Sequence, residues 1–241
     1  MKILYNIYQI CFALPVLLVL TVLTALVTII GSLLGGAHFW GYYPGKIWSQ
    51  LICYLLLIPV KINGREKLHK RTSYVFVPNH QGSFDIFLIY GFLGRNFKWM
   101  MKKSLRNIPL VGYSCYRAGH IFVDHSSPAA VRRTMETAER SLRGGSSLVV
   151  FPEGARSKDG HMRPFKKGAY QLALEFRLPL VPVSIDGAYD VMPRGSYLPR
   201  WGHITLTIHR PIAPPDDDAS RAQVMEQTAT AIKSALPERF R

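Results

Sequence analysis

The chain has 241 residues, 48% of them hydrophobic, with 30 Lys and Arg against 15 Asp and Glu and a formal net charge of +15. That length suits one domain with its own core plus an appendage, and the apolar content excludes a disordered chain. Three scattered cysteines, Cys11, Cys53 and Cys115, exclude a disulfide framework.

The apolar residues are concentrated at the start. No Asp, Glu, Lys or Arg lies between Lys2 and Lys46, and Cys11 to Leu34 is almost purely aliphatic. A helix needs roughly 20 such residues to cross a bilayer core, so the segment is long enough. A second uncharged run, Ile47 to Val60, has 14 residues and is short for a span; Gly35, Gly36, Gly41, Pro44 and Gly45 mark a turn between the two. Three arrangements fit: one span plus a buried helix, a helical hairpin, or a hairpin sunk partway into one leaflet. A cleaved leader has an apolar run of about 7–15 residues followed by a small-residue site, which fits poorly here. Residues 1–60 are therefore expected to be a retained membrane anchor. They carry only Lys2 and Lys46, which leaves 15 − 2 = +13 for residues 61–241. Basic residues after the apolar runs place the remainder on the cytoplasmic side of a membrane by the positive-inside rule, where they would meet anionic headgroups. Nucleic acid is the other partner for a basic surface, but no recognition helix rich in Lys and Arg, zinc-finger spacing or RNP-like strand is present.

From Lys61 the texture is that of an α/β domain. Ser73–Pro78 reads as a short strand, and Ser83 as the cap of a helix through Leu93. Phe97–Met101 is a strand, Asn107–Gly112 a loop, and Ile121–Asp124 a strand. Pro128–Leu142 is a helix stopped by Gly144 and Gly145. A buried strand, Ser147–Phe151, leads into the loop PEGARSKDG. Phe165–Phe176 is helical, Pro179–Ile185 a buried strand, and His203–His209 alternates as a half-buried strand does. A linker through Asp218 precedes a last helix, Ala219–Leu236. Strands alternating with helices predict a layered α/β architecture.

Two stretches can carry chemistry. In VPNHQGSFDIF, Gly82 permits an irregular turn with His80 in the loop and Asp85 in the first helical turn. There the carboxylate can hold one imidazole nitrogen and leave the other as a general base. The competing reading is a helix-capping aspartate beside a hydrogen-bonded core histidine. No G-x-S-x-G elbow is present, and Cys115 lacks an activating neighbour in sequence, so a nucleophile is expected from the substrate. In VVFPEGARSKDG, a buried strand opens into a loop presenting Glu153, Gly154 and Arg156, and the guanidinium suits a phosphate; an incidental arginine on a solvated turn is the alternative. In MMKKSLRNIPLVG, Lys102, Lys103 and Arg106 precede a proline-containing loop, which alone says little. Metal binding is not expected: H-x3-H, H-E-x-x-H and C-x-x-C are absent, and His120 and His125 flank a strand toward opposite sides. Nucleotide phosphate loops are also absent.

In order and spacing, these blocks resemble those of the 1-acyl-sn-glycerol-3-phosphate acyltransferase family, the membrane-bound glycerolipid acyltransferases with an N-H-x4-D motif. NHQGSFD matches the catalytic block, which implies His80 as general base and Asp85 as its orienting partner. KKSLRNIPLVG is similar to the second block, which implies Lys103 near the acceptor phosphate. FPEGARS resembles the third, which implies Arg156 as phosphate ligand with Glu153 and Gly154 shaping the site. VPVSI, Val181–Ile185, resembles the fourth, an apolar strand near the substrate. The likeness covers about residues 60–212. Ser104 and His125 depart from it, standing where Glu and Arg are common.

The resemblance implies a glycerolipid-acyltransferase-like α/β domain over residues 61–241. It further implies acyl transfer from acyl-CoA or acyl carrier protein (acyl-ACP) to the sn-2 hydroxyl of lysophosphatidic acid, giving phosphatidic acid. No metal or resident cofactor is expected. The expected partners are membrane lipids, lysophosphatidic acid and the thioester donor, and the expected location is a bacterial-type inner membrane with the catalytic part facing the cytoplasm. Other acceptors remain open at this point (another lysophospholipid, a lyso-ornithine lipid, glycerol-3-phosphate), as does a non-catalytic binder of anionic lipid.

Overall fold

The computed structural model describes residues 2–124, 126–143 and 145–241; His125 lies outside them. Helix α1 runs from Lys2 to Leu33, 32 residues, apolar and long enough to cross a membrane. Its wider π-turn at Gln9–Ala13 stands just before Pro15, which has no N–H to offer the preceding turn. The chain turns at Gly35 and Gly36 into a single-turn helix, α2 (Ala37–Trp40), and then α3 (Tyr43–Leu55). Pro44 and Gly45, expected in the turn, begin α3 instead; proline is tolerated in a first helical turn because its missing N–H has no partner there.

The body is one seven-stranded sheet ordered β1-β7-β6-β2-β5-β3-β4. The strands are β1 (Val60–Asn63), β2 (Val75–Pro78), β3 (Phe97–Lys102), β4 (Ile121–Val123), β5 (Ser147–Val149), β6 (Leu180–Asp186) and β7 (Ile204–Ile208). All neighbours are parallel except β6 and β7. The central strands β2, β5 and β6 read as continuous apolar runs because both faces are covered. The helices are α4 (Phe84–Phe92), α5 (Val111–Arg117), α6 (Pro128–Arg143), α7 (Gly168–Phe176), the short α8 (Ala188–Val191) and α9 (Ser220–Ser234).

One face packs on α3 and α4, where Tyr42, Ile52, Cys53, Leu56, Phe84, Leu88, Phe97 and Trp99 share a core. The other packs on α6, α7 and α9 through Leu148, Leu172, Ala173 and Val224. Boundaries differ from expectation in several places. Strand β1 was not expected and pairs with β7. The strand after Gly145 ends at Val149, two residues early, and Phe151 leaves the ladder to face the site. Residues 111–112, read as loop, open α5, and α7 starts at Gly168, three residues after Phe165. These short elements are set by tertiary packing, against which local propensity is weak.

Helix α1 is tied to the body along its length. Tyr5 and Tyr8 hydroxyls donate to the carbonyls of Leu56 (2.6 Å) and Leu55 (2.8 Å). The Gln9 amide donates to Pro199 O at 3.0 Å, Trp48 Nε1 donates to Thr21 Oγ1 at 3.0 Å, and Arg117 donates to Ser32 O near the far end. Its other side presents Ile3, Leu4, Ile7, Leu18, Val22 and Ile30 outward.

Candidate active site

The parallel strands β2, β5, β3 and β4 end on the same edge of the sheet, where open α/β sheets bind ligands. Five of the six expected residues, all but Lys103, meet there. Residues 79–83 form the turn from β2 into α4, and Asp85 is the second residue of that helix. His80 Nδ1–H donates to Asp85 Oδ2 at 2.7 Å; Asp85 is wholly buried and the His80 side chain 14% exposed. The same carboxylate oxygen accepts the Gly82 N–H at 2.9 Å. A Cβ on Gly82 would stand 2.6 Å from Ala188 O and 2.8 Å from Met192 O, so only glycine lets this turn pack on α8.

Ser83 holds the N-cap position of α4, but its side chain makes no cap bond. Its hydroxyl instead accepts from Arg156. This corrects the expectation of a serine cap: the residue is used to hold the guanidinium beside the catalytic-type turn. The imidazole lies flat on Phe151, with centroids 3.9 Å apart and a 15° interplanar angle, and Phe151 stacks in turn on Trp99 at 5.5 Å. The Asp85 contact and this ring stack fix the imidazole plane, leaving Nε2 as the acceptor.

Glu153 builds the loop. One carboxylate oxygen accepts the His80 N–H at 2.7 Å and the other the Arg163 N–H at 2.9 Å. Burial pushes its acid up to about 7, against the pull of those two backbone donors. Gly154 sits at φ +71°, with the Lys166 side chain packed over it. The Ser157 N–H closes the loop onto His80 O at 2.8 Å.

Lys103 is placed apart from this group. Its Nζ donates to Asp124 Oδ2 at 2.7 Å, and both line a pocket of about 220 Å³ with Arg106, Tyr116 and Arg133 at the ends of β3 and β4. The departure at His125 falls outside the described residues. His120 faces inward: it accepts the Trp99 N–H on Nδ1 (3.3 Å) and bonds the Tyr90 hydroxyl through Nε2 (3.1 Å). Burial, aided by Lys98, lowers it to about 3, so it is neutral. Burial also pushes the Cys115 thiol up to about 11, away from nucleophile character.

The sequence reading missed several supports. Asn79 locks the end of β2 to β6, donating to Ile185 O (3.0 Å) and accepting the Ile185 N–H (2.7 Å). Gln81 donates to Gly160 O at 3.0 Å. Both are buried polar residues flanking His80; that flanking was the available signal, but their partners lie 106 and 79 positions away, respectively.

The α/β sheet thus carries a carboxylate-held histidine and an arginine at its carboxyl edge, and the chain belongs to the Acyltransferase family, whose model matches residues 59–186. The chain is 35% identical over 173 residues to the 1-acyl-sn-glycerol-3-phosphate acyltransferase of Limnanthes douglasii, covering 71% of this chain and 61% of that protein. It is 32% identical over 173 residues to a chloroplastic 1-acyl-sn-glycerol-3-phosphate acyltransferase of Arabidopsis thaliana, covering 71% and 48%. The chain thus spans about half to three-fifths of the length of these curated relatives. A crystal structure of the 1-acyl-sn-glycerophosphate (LPA) acyltransferase PlsC from Thermotoga maritima is similar with a TM-score of 0.78 at 27% identity, covering 96% of this chain and 93% of that one.

Proposed function

We propose that this protein transfers a fatty acyl group from a thioester to the sn-2 hydroxyl of lysophosphatidic acid, giving phosphatidic acid. The observation that carries the reading is the 2.7 Å His80–Asp85 contact with Arg156 held on the next turn by Ser83. The acceptor phosphate sits on Arg156 beside the N-terminus of α4, where charge and helix dipole both favour an anion. The hydroxyl is then presented to His80 Nε2. As its oxygen bonds to the thioester carbon, His80 takes the proton and Asp85 balances the imidazolium. The C–S bond breaks, and the proton passes to the leaving thiolate. No metal or resident cofactor is needed.

The donor is acyl-CoA or acyl carrier protein. Both carry a phosphate on the thioester arm, and the pocket of Lys103, Arg106 and Arg133 offers three cations against Asp124. It stands at the ends of β3 and β4, two to three strand spacings or about 10–14 Å from the end of β2. Lys103 therefore serves the donor as well as it would the acceptor.

Of the three anchor arrangements, the half-embedded hairpin is favoured. The ties from Tyr5 to Ser32 span about 40 Å of helix against a single body, so α1 lies along that body instead of leaving it. Its outward aliphatic face and the exposed Ile47, Leu51 and Tyr54 of α3 rest in one leaflet. The site then opens on a membrane surface from the side where thioesters are made, the cytoplasmic face of a bacterial-type inner membrane.

The test is acyl transfer by purified protein in vesicles, with palmitoyl and oleoyl donors on CoA and carrier protein and a panel of lysolipids plus glycerol-3-phosphate. His80→Ala should abolish turnover while the protein stays folded, and Arg156→Ala should raise the acceptor KM. Activity retained in His80→Ala refutes the role. A non-catalytic lipid binder would need neither side chain, and transfer to another acceptor would move the substrate without changing the chemistry.

A further inference from the structure

Between α8 and β7, residues 192–203 form a loop whose two sides differ. The inner side is built in. Arg200 N–H donates to Val191 O at 2.7 Å, and Ser196 bonds both Pro193 O and Leu198 O. Pro199 is buried, and its carbonyl receives the buried Gln9 amide from α1. The outer side holds rings in solvent. Tyr197 is 94% exposed and Trp201 73%, the two most exposed aromatic side chains among the described residues. Arg194 and Arg200 are exposed beside them, and residues 192–203 contain no Asp or Glu.

A hydrogen-bonded loop that keeps two large rings out of the core forgoes their burial, which is otherwise a leading source of stability. Amphipathic rings next to arginines are the composition of a membrane–water interface, where the ring body is shielded and the polar tip stays wet. The location agrees. Gln9 points inward from the stretch of α1 whose outward residues are Ile3, Leu4, Ile7 and Ile10, so the loop borders that apolar face on its body side. The loop also reaches the site: Met192 O accepts the Ser83 N–H at 3.4 Å, and Gly82 packs against Ala188 O and Met192 O.

We propose that residues 192–203 form a lip seated in the headgroup layer of an anionic bilayer, with Tyr197 and Trp201 as its interfacial rings and Arg194 and Arg200 as its lipid-phosphate contacts, joining the membrane surface to the His80 turn. This rests on the reading of α1 as lying in one leaflet. The lip fixes the height at which a membrane-borne acceptor meets the imidazole.

The experiment uses the full chain in phosphatidylcholine vesicles with and without phosphatidylglycerol. Trp201 emission, taken as wild type minus Trp201→Phe, should shift to the blue on adding vesicles and be quenched by lipids brominated near the headgroup. Quenching should be stronger with phosphatidylglycerol, and Arg194→Gln/Arg200→Gln should erase that difference. Tyr197→Ser/Trp201→Ser should raise the KM for a long-chain acceptor in vesicles about tenfold, with KM for a short-chain, water-soluble acceptor unchanged. An unshifted Trp201 overturns the proposal, as does an equal rise in both KM values, which would make the rings part of the acceptor pocket. Failure of the acylation reading is distinguishable: wild type would transfer nothing, while the Trp201 signal still reports the membrane seat.

Discussion

Asp85→Asn isolates the charge behind the imidazole. Asp85 Oδ2 receives two donors, His80 Nδ1–H and Gly82 N–H, whereas its buried Oδ1 has no hydrogen-bond partner. An asparagine amide oxygen is therefore held at the Oδ2 position, because an NH2 group there would face both donors. His80 keeps its tautomer and its stacking on Phe151. What disappears is the negative charge facing the imidazolium as it forms. At about 4 Å between charge centres and an effective dielectric of about 20, that interaction is about 4 kcal/mol, or about three decades in rate. The stranded NH2 costs a further 1–3 kcal/mol of stability, as an order-of-magnitude figure for a buried unsatisfied donor. Initial rates of thiol release from an acyl thioester should show kcat lower by about 10³, with both KM values within about threefold of wild type. A kcat within tenfold of wild type, from protein that still melts cooperatively, would refute the argument that Asp85 supplies the counter-charge.

Phe151→Ala removes the surface on which the imidazole lies, so kcat should fall about tenfold with the acceptor KM unchanged, at a stability cost of about 2 kcal/mol for the half-buried ring; parallel kinetics and thermal melts check it. Glu153 gives a pH signature. Its folded-state acid is raised from 4.5 to about 7, so the folded state holds this proton more tightly than the unfolded chain. The associated stability is present below about 4.5 and lost as pH rises through about 7, a change of about 3 kcal/mol. Denaturant unfolding of wild type and Glu153→Gln should therefore show the wild type losing stability relative to the variant over that window, and a constant difference would contradict the burial argument.

Much of the site was legible because its parts are local in sequence. His80, Gly82, Ser83 and Asp85 fall on one turn, and Glu153, Gly154 and Arg156 on one loop, each directly after a strand whose apolar run marks it as buried. The long uncharged opening announced α1 for the same reason, since hydropathy accumulates along the chain. The alternation at His203–His209 likewise matched β7, whose residues 204–208 are buried and half-buried by turns.

Long-range partners were not legible. Nothing local says that Asn79 locks onto Ile185, that Ser83 holds Arg156 in place of capping its own helix, or that Phe151 lies under the imidazole. The same holds for the antiparallel entry of β7 beside β6, and for the ties that lay α1 along the body. Composition and spacing determined that a buried carboxylate and a histidine stand beside a basic loop behind an apolar helix. Which atoms meet was decided by closing the sheet, because hydrogen bonds and ring contacts depend on distances of a few ångströms between segments far apart in the chain.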